Sequence, residues 1–110
     1  MGGSAERMTE YNKLVRDKIP EIVRQQGEIP YTRILDSEEY AELLEDKLDE
    51  EAAEFHRDHT PEELADILEV VFALAENMGI SQGQLMDIWQ EKHEARGGFS
   101  DRIFLIGKES

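Results

Sequence analysis

The chain has 110 residues, no cysteine and a formal net charge of −14, from 26 Asp and Glu against 12 Lys and Arg. These figures fit one small domain whose own core is modest, so that oligomerisation would help it. They exclude a disulfide framework, a thiolate metal site, a cysteine nucleophile and a general basic face for nucleic acid. A polyphosphate stays open as a ligand, because divalent cations can neutralise both partners locally.

No stretch is long and apolar enough to span a membrane. The first seven residues lack the apolar core of a signal peptide. Residues 1–8 therefore read as a disordered leader and 9–110 as the single domain. With no cysteine, the expected location is cytoplasmic, with no membrane partner. A short helix is expected near Asp17, with Pro20 in its first turn and Gly27 as its stop. Tyr31–Leu35 and Arg102–Ile106 are rich in strand formers and are expected to pair as a small two-stranded β element.

Three longer helices lie between. Asp36 with Glu39 reads as a capping box opening the first at Ser37, running to about Arg57. Thr60-Pro61-Glu62-Glu63 opens the second, with Thr60 as cap, and Gly79 stops it after Met78. Ser81 with Gln84 opens the third, which ends near Arg96 before Gly97-Gly98. The expected fold class is mainly α, a helical bundle.

On a helical wheel, Leu44, Leu48, Ala52 and Phe55 form the apolar stripe of the first long helix. Glu51 falls inside that stripe, Glu54 and Lys47 at its border, and Glu50 further out. On the second, Leu64, Ile67, Val70, Val71, Leu74 and Met78 define the buried side. Glu63 falls inside it and Asp66 at its border. Each helix thus puts one acid on its core side and another three residues later, where i and i+3 are neighbours. Buried, charged and unpaired carboxylates would cost several kcal/mol each. A cation removes that cost, and an all-oxygen donor set suits Mg²⁺ or Mn²⁺. For Glu63 a rival reading exists, as the third residue of a capping box. Glu38, Glu39, Glu45, Glu50, Glu62, Glu69 and Glu76 read as ordinary solvated acids.

Glu50-Glu51-Ala-Ala-Glu54 followed by Glu63-Leu-Ala-Asp66 resembles the E-E-x-x-E … E-x-x-D signature of the all-α nucleoside triphosphate pyrophosphatases. That superfamily includes MazG, the dimeric dUTPases and phosphoribosyl-ATP pyrophosphohydrolase. Tyr11-Asn-Lys-Leu-Val-Arg-Asp-Lys-Ile-Pro20 and Gly97-Gly98-Phe99 are similar to a MazG-related subgroup. The resemblance implies Mg²⁺-dependent hydrolysis of a nucleotide to monophosphate and pyrophosphate. It implies Glu51, Glu54, Glu63 and Asp66 as metal ligands and Glu50 as an outer-shell acid. It implies Lys92 and Arg96 as phosphate contacts. Glu54 or Glu51 is the expected general base.

Two alternatives stand beside that reading: a phosphoribosyl-ATP pyrophosphohydrolase proper, and a non-catalytic acidic helical module. Arg16 and Lys18 are further candidates for phosphate contacts, with an ordinary solvated segment as the preferred reading. His56 and His59 fit the cation preference of a helix C-terminus better than zinc. His93 reads as a surface side chain, Trp89 as core or interface, and Phe99 as a lid or an anchor. Leu68, Phe72 and Ala75 make the second long helix apolar nearly all round, so a homodimer is expected.

Overall fold

Local sequence signals set the helix boundaries, and a computed structural model of the chain describes residues 8–110. The elements are α1 (Ile19–Gln25), α2 (Ser37–Asp58), α3 (Pro61–Asn77) and α4 (Gln82–Arg96). No helix among them is long and apolar enough to cross a membrane. The leader expected at the start falls almost wholly outside the described residues.

α1 carries Pro20 in its first turn as expected and begins slightly later than Asp17. α2 opens on Asp36, whose side chain accepts a hydrogen bond from the Glu39 amide at 2.9 Å. The return half of that capping box does not form. The Glu39 carboxylate instead takes both arms of Arg33, at 2.8 and 3.1 Å. At α4 both halves exist: the Gln84 amide donates to Ser81 Oγ at 3.1 Å, and the Ser81 amide donates to Gln84 Oε1 at 2.8 Å. Gly79 and Gly97, with φ of 84° and 80°, turn the chain after α3 and α4 in a region that side chains with a Cβ rarely adopt.

α2 and α3 form an antiparallel hairpin, with only His59 and Thr60 between them. His59 sits in the left-handed region at φ 51° and donates its amide to the Phe55 carbonyl at 2.8 Å, which closes α2. The two helices pack along each other, and α4 packs on α3 alone. The core lies in the α2–α3 seam: Leu44, Val70 and Ala75 are buried, and Glu51 is buried with them. Leu64 and Met78, expected on the core side of α3, are exposed instead, one in its first turn and the other just past its last residue.

The expected β element is absent: the described residues contain no strand. Ile34 is 94% exposed, and Ile103 to Ile106 are all exposed. Strand preference expresses packing on a pleated, half-buried surface, and neither segment has such a surface or a pairing partner. The chain extends over 76 × 32 × 25 Å with a radius of gyration of 19.6 Å. A compact domain of this length would have about 13 Å.

Candidate metal centre

The α2–α3 seam brings three acids to one point. Glu51, Glu63 and Asp66 each offer an oxygen within 4.8 Å of the others'. Glu51 is placed there by its position in the Leu44 stripe, one turn from Leu48 and from Phe55. Its residue exposure is 8%, and its Oε2 is buried with no hydrogen-bond partner. Its Oε1 lies 3.9 Å from Lys47 Nζ. Burial pushes the Glu51 carboxyl up to about 6, and the neighbouring Glu54 and Asp66 charges add to the rise; Lys47 opposes it.

Glu63 resolves between its two readings. The Thr60 side chain makes no cap hydrogen bond, so Glu63 is not half of a capping box. Its carboxylate belongs to the cluster, where burial first, then Asp58, Glu54 and Asp66, raise its pKa above the usual value. Glu54, expected as a fourth ligand, is not one of the three converging side chains. It borders them, acting electrostatically on both Glu51 and Glu63. Glu50 faces away, accepting from Lys13 and Lys47, each at 3.3 Å. Burial works against its charge, yet these two ammonium groups hold its pKa below the usual carboxylate range.

The donor set fits a hard divalent cation. At a metal–oxygen distance of about 2.1 Å, neighbouring ligands lie about 3 Å apart and opposite ones about 4.2 Å. Oxygens already within 4.8 Å reach that spacing by small side-chain rotations. The partnerless Glu51 Oε2 is also the kind of group a protein rarely buries without a cation or donor to satisfy it.

A cavity of about 420 Å³ opens beside the cluster. Its lining includes the acids Glu51 and Asp66, the apolar Leu44 and Val70, and the cations Arg16 and Lys18. Arg16 Nη2 donates to Asp66 Oδ1 at 2.6 Å. Arg16 is exposed, as a solvated segment would have it, but its guanidinium is paired with an acid of the cluster. The usable signal was a run of three cations, Lys13, Arg16 and Lys18, interleaved with Leu14, Val15 and Ile19 in an otherwise acidic chain.

Lys92 and Arg96 do not join the acids within this chain. They line a separate cavity with Trp89, His93, Gly97, Gly98 and Phe99, on a helix that packs against α3 and not against α2. Trp89 is half exposed and stacks on His93 at a 5.3 Å centroid distance, so it is not a core residue. Phe99 is 98% exposed and neither covers nor anchors anything within the chain. His56 and His59 flank the Phe55 ring at the end of α2, outside the cluster.

No family model matches the chain, and no solved structure does. An uncharacterised protein of Mycolicibacterium smegmatis is 52% identical over 42 residues. The match covers 38% of this chain and 43% of that protein's length.

Proposed function

We propose that the protein is a Mg²⁺- or Mn²⁺-dependent nucleotide pyrophosphohydrolase of MazG-like type, acting on a nucleoside triphosphate or related nucleotide of the cytoplasm. The observation that carries this reading is the buried, partnerless Glu51 Oε2 at the convergence with Glu63 and Asp66. The resemblance of Glu50–Asp66 to the superfamily signature supports it. A solvated acidic module has no reason to bury its acid, whereas a phosphohydrolase needs a cation held at this depth.

In this reading Glu51, Glu63 and Asp66 hold the cation, which when bound neutralises phosphate oxygens and makes a water easier to deprotonate. Glu54, whose charge acts on both Glu51 and Glu63, would accept the proton of the attacking water. The water oxygen attacks the α-phosphorus, the α–β anhydride P–O bond breaks, and pyrophosphate leaves with that electron pair. Glu50 keeps Lys47 and Lys13 at the edge of the site and takes no part in the proton transfer. The apolar wall of the adjoining cavity suits a nucleoside better than a second phosphate group.

The working unit in this reading is a homodimer. Leu64 and Leu68 on α3, and Met86, Ile88 and Trp89 on α4, are apolar and open to solvent. The chain is also far more extended than a self-sufficient domain of its length. A second copy laid on these faces would give α3 and α4 the core that one chain lacks. A single-chain mass in light scattering at micromolar concentration would contradict this part.

The deciding experiment is hydrolysis of a panel of ribo-, deoxy- and modified nucleoside triphosphates and phosphoribosyl-ATP, with Mg²⁺ or Mn²⁺. Release of pyrophosphate and monophosphate should depend on the metal. It should fall by about 10²-fold or more in Glu51→Gln, the scale expected when a group stabilising developing charge is lost. Equal absence of turnover in wild type and Glu51→Gln would move the non-catalytic module to first place. Preference for phosphoribosyl-ATP would select the biosynthetic alternative.

A further inference from the structure

The acids of the candidate metal centre have a protein cation already in place, delivered from far away in sequence. Arg16 Nη2 reaches Asp66 Oδ1 at 2.6 Å, and Lys13 Nζ reaches Glu50 Oε1 at 3.3 Å. Residues 14–22 also lay Leu14, Val15, Ile19 and Ile22 along the same cavity that exposes Glu51 and Asp66. The segment thus lines one cavity together with Leu44 and Val70, and Arg16 stands at that cavity beside Asp66. Only 12 cationic side chains exist in a chain with 26 acids, yet Arg16, Lys13 and Lys47 gather here.

Arg16 and a divalent cation want the same carboxylate. Asp66 has lone pairs enough for both, but a guanidinium and a doubly charged ion on one carboxyl group repel strongly in a half-buried site. A nucleotide changes the balance. Its phosphates carry several negative charges, and a planar guanidinium is the side chain best matched to them. Arg16 is half exposed on a long flexible side chain, so it can leave Asp66 for a phosphate at the mouth of the cavity without moving the backbone.

We propose that Arg16 is a phosphate-binding residue of the substrate site, stored on Asp66 until cation and nucleotide arrive together. This rests on the pyrophosphohydrolase reading and adds to it a binding order. Without nucleotide, Arg16 competes with the metal for Asp66. With nucleotide, Arg16 turns to a phosphate and the metal takes Asp66, so cation and nucleotide bind with positive coupling. Lys13 holds Glu50 in the same way and marks the outer edge of the phosphate track.

The test measures binding rather than turnover, on the whole protein: Mn²⁺ titrations with and without a non-hydrolysable α,β-methylene triphosphate, for wild type, Arg16→Gln and Arg16→Lys. Arg16→Gln should bind Mn²⁺ several-fold more tightly than wild type when nucleotide is absent. With Mn²⁺ present it should bind the analogue about tenfold or more weakly, the loss expected for one charge-assisted hydrogen bond. Arg16→Lys should recover part of the analogue affinity, which also shows that the fold survives change at this position. Weaker or unchanged Mn²⁺ binding in Arg16→Gln, or unchanged analogue binding, overturns the proposal and leaves the metal centre standing. A wild type that takes up neither Mn²⁺ nor the analogue overturns both the proposal and the pyrophosphohydrolase reading.

Discussion

The α2–α3 hairpin and the α4–C-terminal region differ in what their apolar residues accomplish. In the hairpin, Leu44, Val70 and Ala75 are buried, and the Glu51 carboxylate is carried inward with them. In α4 no residue is buried, and beyond it Phe99 and Ile103–Ile106 stand in solvent. Both regions contain large hydrophobic side chains. Only one has two long helices in register along each other. The contrast teaches that the cluster is positioned by interhelical packing, while α4 and the tail beyond it leave their large apolar side chains exposed.

Mutations should sharpen this contrast. Leu44→Ala removes a nearly fully buried side chain and should destabilise the chain by about 2–5 kcal/mol in urea unfolding. Ile103→Ala, by contrast, should change stability by less than about 0.5 kcal/mol. Equal effects would mean that the tail is packed in solution and the comparison fails.

The next effect in size is a pH dependence located at Glu51. Below about pH 4.5 its carboxyl is protonated in both folded and unfolded chains. Between 4.5 and about 6 the unfolded chain has released the proton and the folded chain has kept it. Stability therefore falls as pH rises through this window, by about 2 kcal/mol in total. Glu51→Gln lacks this loss, so without metal it should gain on wild type by that amount between pH 4 and 7. Glu50, held by lysines, contributes with the opposite sign in both proteins and cancels from the comparison. Saturating Mg²⁺ should reverse the order at pH 7, adding about 2.7 kcal/mol to wild type at a hundred times the dissociation constant. A smaller effect, though still above that of Ile103→Ala, belongs to the region without a core. Ser81→Ala breaks the capping box of α4 and should cost about 1 kcal/mol, read as lost α4 protection in hydrogen exchange while the α2–α3 seam stays protected.

The parts of this molecule legible in the sequence are those set by local rules. The four helices announced themselves through Pro20, Asp36, Pro61 and the Ser81–Gln84 pair, each acting within a turn. The inward direction of Glu51 followed from helical geometry, because a rigid 3.6-residue repeat fixes a side chain's bearing relative to Leu44 and Leu48. What escaped was non-local. Strand formers at Tyr31–Leu35 and Arg102–Ile106 had composition without a partner. The Arg16–Asp66 pair joins positions far apart, and no spacing rule points from one to the other. Lys92 and Arg96 share a helix face, but where that face lies depends on the docking of α4, which the sequence does not encode locally.

The short connection at His59 and Thr60 bears on how the protein is made. Glu51, Glu63 and Asp66 all lie within one helical hairpin closed by a single left-handed residue. The loop to be closed before these acids meet is therefore short, and its entropic cost correspondingly small. Contacts of low sequence separation form early in folding. The acidic cluster thus needs only the α2–α3 hairpin, and where α4 docks has no part in bringing its three side chains together.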